Sequence, residues 1–181
     1  MTLERGALER GARLAVDVGS VRVGVAASDP DGLIATPVET VPRDLDGASD
    51  VRRIGQLGAE RDAAVVYVGL PRHLSGAESS ASEGVRTYSV ELARAVAPVP
   101  VRLVDERMST VTAHQALYAS GRPGRRHRQV VDQVAAVVIL QSAIDAERAT
   151  GERSGALVDQ APGDDARTGR AGVRRPGPGV P

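Results

Sequence analysis

The sequence predicts an α/β protein built on a mixed five-stranded sheet flanked by helices. From about residue 50 onward, short apolar runs bounded by turn residues alternate with segments of helical periodicity. Before that point, three strand-like segments follow one another with only tight turns between them, which is typical of an antiparallel meander. The predicted order is β-β-β-α-β-α-β-α-α, and right-handed crossovers would make the later strands parallel to the first.

The first three strands form the predicted meander. Residues 13–18 are apolar on both faces apart from Arg13 at the start and Asp17, as expected of a central strand. Gly19-Ser20 is a tight-turn signal, so the next segment, residues 22–28, is expected to pair antiparallel with the first. After a Pro- and Gly-containing turn, a third strand is predicted over residues 33–41.

The second half supplies the crossovers. A helix containing Ile54 and Leu57 precedes a short buried strand, and Pro and Gly residues punctuate the later elements. The remaining predicted elements are strands at 63–68 and 101–104 and helices at about 79–97, 109–119 and 129–148.

The predicted domain organisation is simple. At 181 residues the chain suffices for one well-packed domain and is short for two. Beyond residue 149, Gly, Pro, Arg and Asp dominate and large apolar residues are few. We therefore expect a flexible N-terminal segment (1–12), one domain (13–148) and a disordered tail (149–181).

Composition excludes several kinds of site. The chain has no Cys, which removes disulfides, thiolate zinc sites and cysteine nucleophiles, and it has no Lys, which removes a Walker phosphate loop. Three dispersed His residues do not suggest a zinc cluster, so any metal is expected to be a hard cation such as Mg²⁺ or Mn²⁺. No signal core or transmembrane-length run is visible, so we expect a cytoplasmic protein without a membrane partner.

Three acidic residues stand in or beside apolar runs. Asp17 interrupts the first strand, Glu106 follows the last strand, and Asp132 lies within the most hydrophobic stretch of the chain. A buried, unpaired carboxylate costs several kcal/mol. Each acid alone has an ordinary interpretation: a turn residue for Asp17, a solvated loop residue for Glu106, and a helix N-terminal residue favoured by the macrodipole for Asp132.

The predicted topology gives the three acids a common role. Ligands of open α/β sheets gather at the carboxyl ends of the parallel strands. Asp17 and Glu106 would both lie at that edge, and Asp132 could lean over it from the last helix. Three carboxylates there would form a cradle for one or two metal ions, and two ions about 3.5–4 Å apart would serve phosphodiester cleavage.

Four motifs now carry a resemblance to a known family. In chain order they are D-V-G-S-V-R-V-G-V-A at 17–26, V-G-L-P at 68–71 with Gly76, D-E-R-M-S-T at 105–110, and V-D-Q-V-A-A-V-V-I-L at 131–140. Together they resemble the YqgF/RuvX family, RNase H-like proteins described as candidate Holliday junction resolvases and candidate pre-16S rRNA nucleases. The resemblance spans about residues 13–145.

The resemblance implies an RNase H-like sheet and a metal-dependent nuclease site. Asp17, Glu106 and Asp132 each match a family motif position, so they are the expected catalytic residues and ligands of Mg²⁺ or Mn²⁺. The implied function is hydrolysis of structured nucleic acid, either processing of the 5′ end of pre-16S rRNA in ribosome biogenesis or resolution of Holliday junctions. A homodimer would suit symmetric cleavage of a junction.

Arginine residues supply the expected contacts to nucleic acid. Arg122, Arg125, Arg126 and Arg128 form a dense basic loop just before Asp132. Arginine contacts to phosphates give affinity and position without reading sequence. Two further residues, Arg22 and Arg107, lie beside the proposed carboxylates and could touch phosphate or pair with them.

Two other functions are consistent with parts of the sequence. The D-x-G start also occurs in actin-like and sugar-kinase ATPases, which would make the chain a single-domain nucleotide-phosphate binder. A non-catalytic nucleic-acid-binding module would use the basic loop alone, although zero net charge argues against a purely electrostatic binder.

Overall fold

The computed structural model describes residues 8–71, 80–105 and 125–159, with the backbone alone for 125–131. It contains six strands and three helices within these ranges. In chain order they are β1 (Ala12–Val18), β2 (Arg22–Ser28), β3 (Ala35–Pro42), α1 (Ser49–Glu60), β4 (Ala63–Leu70), α2 (Ser80–Val96), β5 (Val101–Asp105), α3 (Arg125–Thr150) and β6 (Ala156–Leu157).

The strands form one mixed sheet in the order β3-β2-β1-β4-β5-β6. β1, β2 and β3 pair antiparallel, whereas β4 runs parallel to both β1 and β5. The predicted meander and its two parallel crossovers are therefore confirmed. Because β1, β4 and β5 run in the same direction, the carboxyl ends of these three strands lie at one edge of the sheet.

Helices cover both faces of this sheet. Alternation along β1 sends Leu14 and Val16 into the apolar layer beneath α1 and α2. Ala15 faces the opposite layer, where it packs with Tyr67 and with Leu140 of α3. Asp17, two residues beyond Ala15 on the same strand, lies on the α3 face for the same geometric reason.

The structure corrects the predicted start of the tail, and it gives Arg10 and Gly11 of the predicted N-terminal segment defined contacts. Ala156–Leu157 form β6, which pairs antiparallel with β5 and adds a sixth strand, so residues up to 159 do not belong to a tail. At the other end, the Gly11 N–H donates to the Pro30 carbonyl at 3.0 Å, and Arg10 pairs with Asp31. The remaining residues of both predicted segments, 1–7 and 160–181, lie outside the described ranges.

The last helix also begins earlier than predicted. α3 starts at Arg125, so Arg125, Arg126 and Arg128 occupy its first turn rather than a loop. The helix predicted over residues 109–119 lies outside the described ranges. Where the structure is described, no helix combines the length and the apolarity needed to cross a lipid bilayer.

A buried ionic network attaches the end of α3 to the sheet. Glu147, 3% exposed, accepts hydrogen bonds from the Tyr67 hydroxyl, from Arg13 Nε at 3.1 Å and from Arg153 at 2.9 Å. Arg13 lies on β1 and Tyr67 on β4. The network therefore ties one helix to the two central strands, and its two arginines compensate a charge that would be costly to bury alone.

Candidate active site

Asp17 stands near the carboxyl end of β1, half-buried, on the face that α3 covers. Its partner across the antiparallel pair is Gly24 of β2. Directly opposed residues share a face of the sheet and lie about 4.5–5.5 Å apart at their Cα atoms. Asp17 and Gly24 therefore occupy one spot on the α3 side.

At Gly24, α3 comes very close to the backbone of the sheet. A β-carbon at position 24 would stand 2.0 Å from the Asp132 carbonyl oxygen and 2.5 Å from its carbonyl carbon. No side chain fits there, so only glycine permits this approach of helix to strand. Because Asp17 opposes Gly24 and Asp132 packs on it, the structure brings these two predicted site residues together.

The Asp132 side chain is held by Arg22. Arg22 Nε donates to Asp132 Oδ2 at 2.7 Å, and the two side chains are 29% and 24% exposed. Arg22 begins β2 and lies two residues from Gly24, hence on the same face. The sequence left open whether Arg22 pairs with a carboxylate or touches phosphate, and the structure shows the pair.

The macrodipole does not account for Asp132. It is the eighth residue of α3, counted from Arg125, whereas the dipole acts mainly within the first turn. A helix that began at residue 129, as predicted, would place Asp132 in the first turn, where the dipole favours an acid. The observed start at Arg125 places Asp132 beyond that turn. Asp132 instead lies where the helix contacts the carboxyl-end region of β1.

The predicted third acid lies just beyond the described part of β5. Val16 of β1 pairs with Val68 of β4, and Val68 pairs with Leu103 of β5, so Asp105 ends its strand level with the end of β1. Glu106 follows Asp105 in sequence and lies outside the described ranges. Its place in the site stays a prediction, as do those of Arg107 and Arg122, which also lie outside.

The two described acids fit the predicted cation in their chemistry. Carboxylate oxygens are the ligands that Mg²⁺ and Mn²⁺ prefer. Across residues 8–71, 80–105 and 125–159, no three Asp, Glu or His side chains form a group able to hold a metal ion. Only two of the three expected ligands fall in these ranges, so a complete set would also need Glu106.

The mixed sheet with helices on both faces is RNase H-like, and Asp17 and Asp132 lie near the carboxyl ends of its parallel strands. Thermus thermophilus RuvC, solved with a Holliday junction substrate, has the same fold with a TM-score of 0.53 at 15% identity, covering 81% of this chain and 98% of that one. The family model described as "RuvX: Holliday junction resolvase" matches residues 11–146. The chain belongs to the RuvX family of Holliday junction resolvase-like nucleases, which confirms the resemblance inferred from its motifs.

Close relatives share most of the chain. A Streptomyces coelicolor protein is 56% identical over 153 residues, covering 84% of this chain and 90% of its own length. A Clavibacter michiganensis protein is 57% identical over 148 residues, covering 82% and 91%. Both carry the name "Putative pre-16S rRNA nuclease".

Sequence reasoning missed the part that Gly24 plays. In the sequence Gly24 is only a letter of the first motif, and nothing there indicates its contact with Asp132. A signal was present, since glycine inside an apolar strand often marks a close backbone approach. Gly24 and Asp132 are 108 positions apart in the chain, so no local sequence pattern reveals their contact.

Proposed function

We propose that the chain is a divalent-metal-dependent nuclease that hydrolyses phosphodiester bonds in structured nucleic acid. The observation that carries the proposal is the meeting of Asp17 and Asp132 at Gly24, on one face of the sheet and near the carboxyl ends of its parallel strands. Membership of a nuclease family supports the same conclusion.

Asp17, Asp132 and Glu106 would hold the cation. When bound, Mg²⁺ or Mn²⁺ lowers the pKa of a coordinated water and stabilises charge on the leaving oxygen. The chain's own contribution is to fix the carboxylates: β1 fixes Asp17, and the Gly24 contact together with Arg22 fixes Asp132. Both acids are only partly buried, so solvent and substrate can approach them.

The nucleic-acid backbone would be held by arginines around this edge. Arg125, Arg126 and Arg128 belong to the first turn of α3, where the unpaired backbone N–H groups and the helix dipole already favour anions. The first turn contains no acidic residue that would offset this charge. Arg22, Arg107 and Arg122 complete the proposed set of phosphate contacts.

Precursor 16S rRNA is the substrate we propose first, because relatives above 50% identity are named as pre-16S rRNA nucleases. Branched DNA is the second candidate, because the matching family is described by its action on Holliday junctions. We further propose that the protein works in the cytoplasm. A homodimer would follow if it cuts junctions, since symmetric cleavage needs two sites.

A cleavage panel tests the proposal. The substrates are a precursor 16S rRNA fragment, a four-way DNA junction and duplex DNA, each with Mg²⁺, with Mn²⁺ and with chelator. We expect metal-dependent cleavage of the rRNA fragment or the junction, and loss of at least about 100-fold in rate for Asp17→Asn, because a ligand to the reacting centre is removed.

Asp31→Asn is the matched control. It makes the same chemical change in the pair with Arg10, at the opposite end of β1, and its activity should equal the wild type. Undiminished cleavage by Asp17→Asn would refute the site. Nucleic-acid binding without cleavage under any metal would favour a non-catalytic module, and micromolar ATP affinity would favour a nucleotide binder.

A further inference from the structure

Arg22 forms an ion pair with Asp132, one of the proposed metal ligands. Its guanidinium lies 2.7 Å from Asp132 Oδ2, within the site that the carboxylates would form around a cation. We propose that Arg22 is a displaceable counter-ion: it holds Asp132 before metal binds, and it turns to the phosphate backbone once a divalent cation takes that carboxylate. The inference rests on the proposed function and adds an order of events to it.

Charge is the first reason for the exchange. A guanidinium and a divalent cation that share one carboxylate repel each other. The cation carries the larger charge and would take the ligand, while the arginine keeps a need for an anionic partner. Phosphate matches the fork of an arginine as well as carboxylate does.

Burial is the second reason, because the pair is placed where it can open. The side chains of Arg22 and Asp132 are 29% and 24% exposed, whereas the side chains of Arg13 and Glu147 are only 7% and 2% exposed. Glu147 also accepts bonds from two further side chains, Tyr67 and Arg153. The Glu147 network is therefore expected to stay closed, whereas a partly solvated pair contributes little to stability and opens readily.

Position is the third reason. Arg22 is the first residue of β2, directly after the turn closed by the Gly19 N–H and the Arg22 carbonyl at 2.9 Å. Its backbone is therefore fixed while its side chain lies at the rim of the sheet. A swing from Asp132 leaves it on the α3 face, the face that the proposed substrate would approach.

Calorimetric titration of Mn²⁺ into the free protein tests the exchange without cleavage. Arg22→Gln should bind Mn²⁺ about two- to fivefold more tightly than wild type, because the ion no longer has to displace a guanidinium from Asp132. A fivefold change corresponds to about 1 kcal/mol of binding free energy. Arg10→Gln removes an arginine–aspartate pair of the same 2.7 Å length far from the site and should leave the affinity unchanged.

Nucleic-acid binding provides the second measurement. The binding of a four-way DNA junction is measured with and without Ca²⁺, and recovery of the intact junction checks that no cleavage has occurred. Ca²⁺ should raise the affinity of the wild-type protein for the junction. Arg22→Gln should lose at least half of that gain in binding free energy, because the freed arginine is missing. An undiminished gain in Arg22→Gln would contradict the transfer of Arg22 to phosphate.

A wild-type measurement covers the case in which the variant fails to fold. The Arg22 Nε–H resonance, assigned by comparison with Arg22→Lys, should shift during a Mg²⁺ titration, and the midpoint should equal that of a calorimetric titration with Mg²⁺. A resonance that stays in place at saturating Mg²⁺ would overturn the inference.

The outcomes separate this inference from the proposed function. A wild-type protein that binds neither Mn²⁺ nor Mg²⁺ refutes both. Normal metal binding by wild type, with unchanged or weaker binding by Arg22→Gln, overturns only the exchange. A lower melting temperature of Arg22→Gln with unchanged metal affinity would show that Arg22 is a clamp between β2 and α3.

Discussion

The carbonyl of Asp132 fills the space in which residue 24 would carry a β-carbon. The contact joins the two elements that bear Arg22 and Asp132, and it sets how closely α3 approaches the sheet. A methyl group at 2.0 Å from a backbone oxygen cannot be relieved by a side-chain rotation, so helix or strand must shift.

We therefore predict that Gly24→Ala displaces Asp132 from the site. It should lower stability by about 1–3 kcal/mol, the usual range for overpacking, and should weaken Mn²⁺ binding and cleavage. Denaturant unfolding and calorimetry would measure the two effects. Gly84→Ala is the control. Among the described residues, no atom outside the adjoining backbone of α2 lies within 4 Å of a β-carbon at position 84, so this change should be neutral or stabilise by up to about 1 kcal/mol.

Removal of Glu147 should destabilise the fold strongly. Glu147→Ala would leave Arg13, 6% exposed, without its carboxylate, and loss of one member of a buried pair costs about 3–5 kcal/mol. Urea unfolding measures the change. Glu152→Ala removes an exposed carboxylate just after the same helix and should stay within about 0.5 kcal/mol of wild type. Equal stabilities for the two variants would contradict the network's role.

Two tyrosines should make the protein sensitive to alkali. Burial, assisted by the Glu147 carboxylate, raises the pKa of Tyr67 above its ordinary 10.0, and burial beside Asp50 raises that of Tyr88. Because the folded-state pKa values are raised, this stability is complete below pH 10 and is lost as the pH rises towards the folded values. Unfolding should be measured from about pH 8 to about pH 12, a range that brackets ordinary tyrosine ionisation. The free energy of unfolding should decline in the upper part of this range.

Tyr67→Phe provides the control for the alkaline prediction, because it removes one titrating group from the interior. Its stability should fall less steeply above pH 10 than that of wild type. The chain has no Trp and three Tyr, so tyrosinate absorbance can be followed without interference. Full ionisation of all three tyrosines near pH 10 in the folded protein would contradict the prediction.

Asp44 should give an acid-sensitive contribution at the start of α1. Hydrogen bonds from Ser49, and from the backbone N–H of Gly47, lower the pKa of Asp44 from 3.8 to about 2. The lowered value means that the contribution is present above pH 3.8 and is lost as the pH falls towards 2. Asp44→Asn should remove this part of the acid dependence, whereas Asp46→Asn, at an exposed neighbour, should retain it.

Local sequence predicted most of the sheet because its central strands are apolar on both faces. Residues 13–18 and 22–28 were placed within one residue of β1 and β2. β6 was missed because Ala156 and Leu157 are both exposed and gain their strand pairing only from β5. The start of α3 was missed because arginines at 125–128 show no apolar periodicity, although arginine is a good helix former.

The sequence singles out two described acids of the candidate site and does not reveal their contacts. Asp17 and Asp132 stood out because an acid in an apolar run is costly. Their meeting at Gly24, and the pair between Asp132 and Arg22, depend on how α3 lies across the sheet. That placement is a tertiary property, set in part by Glu147, which looked like an ordinary residue of a helix end.

Asp132 and Glu147 belong to the same helix, 15 residues apart, which corresponds to about 22 Å along its axis. The far end is fastened to β1 and β4 by Glu147, while the near end carries a proposed ligand over the edge of the sheet. α3 is therefore held at both ends of this span, by Glu147 at one end and by the contacts of Asp132 with Gly24 and Arg22 at the other. A shift of the helix at Glu147 would be carried along its axis to Asp132, so the geometry of the proposed site would depend on a residue that no substrate reaches.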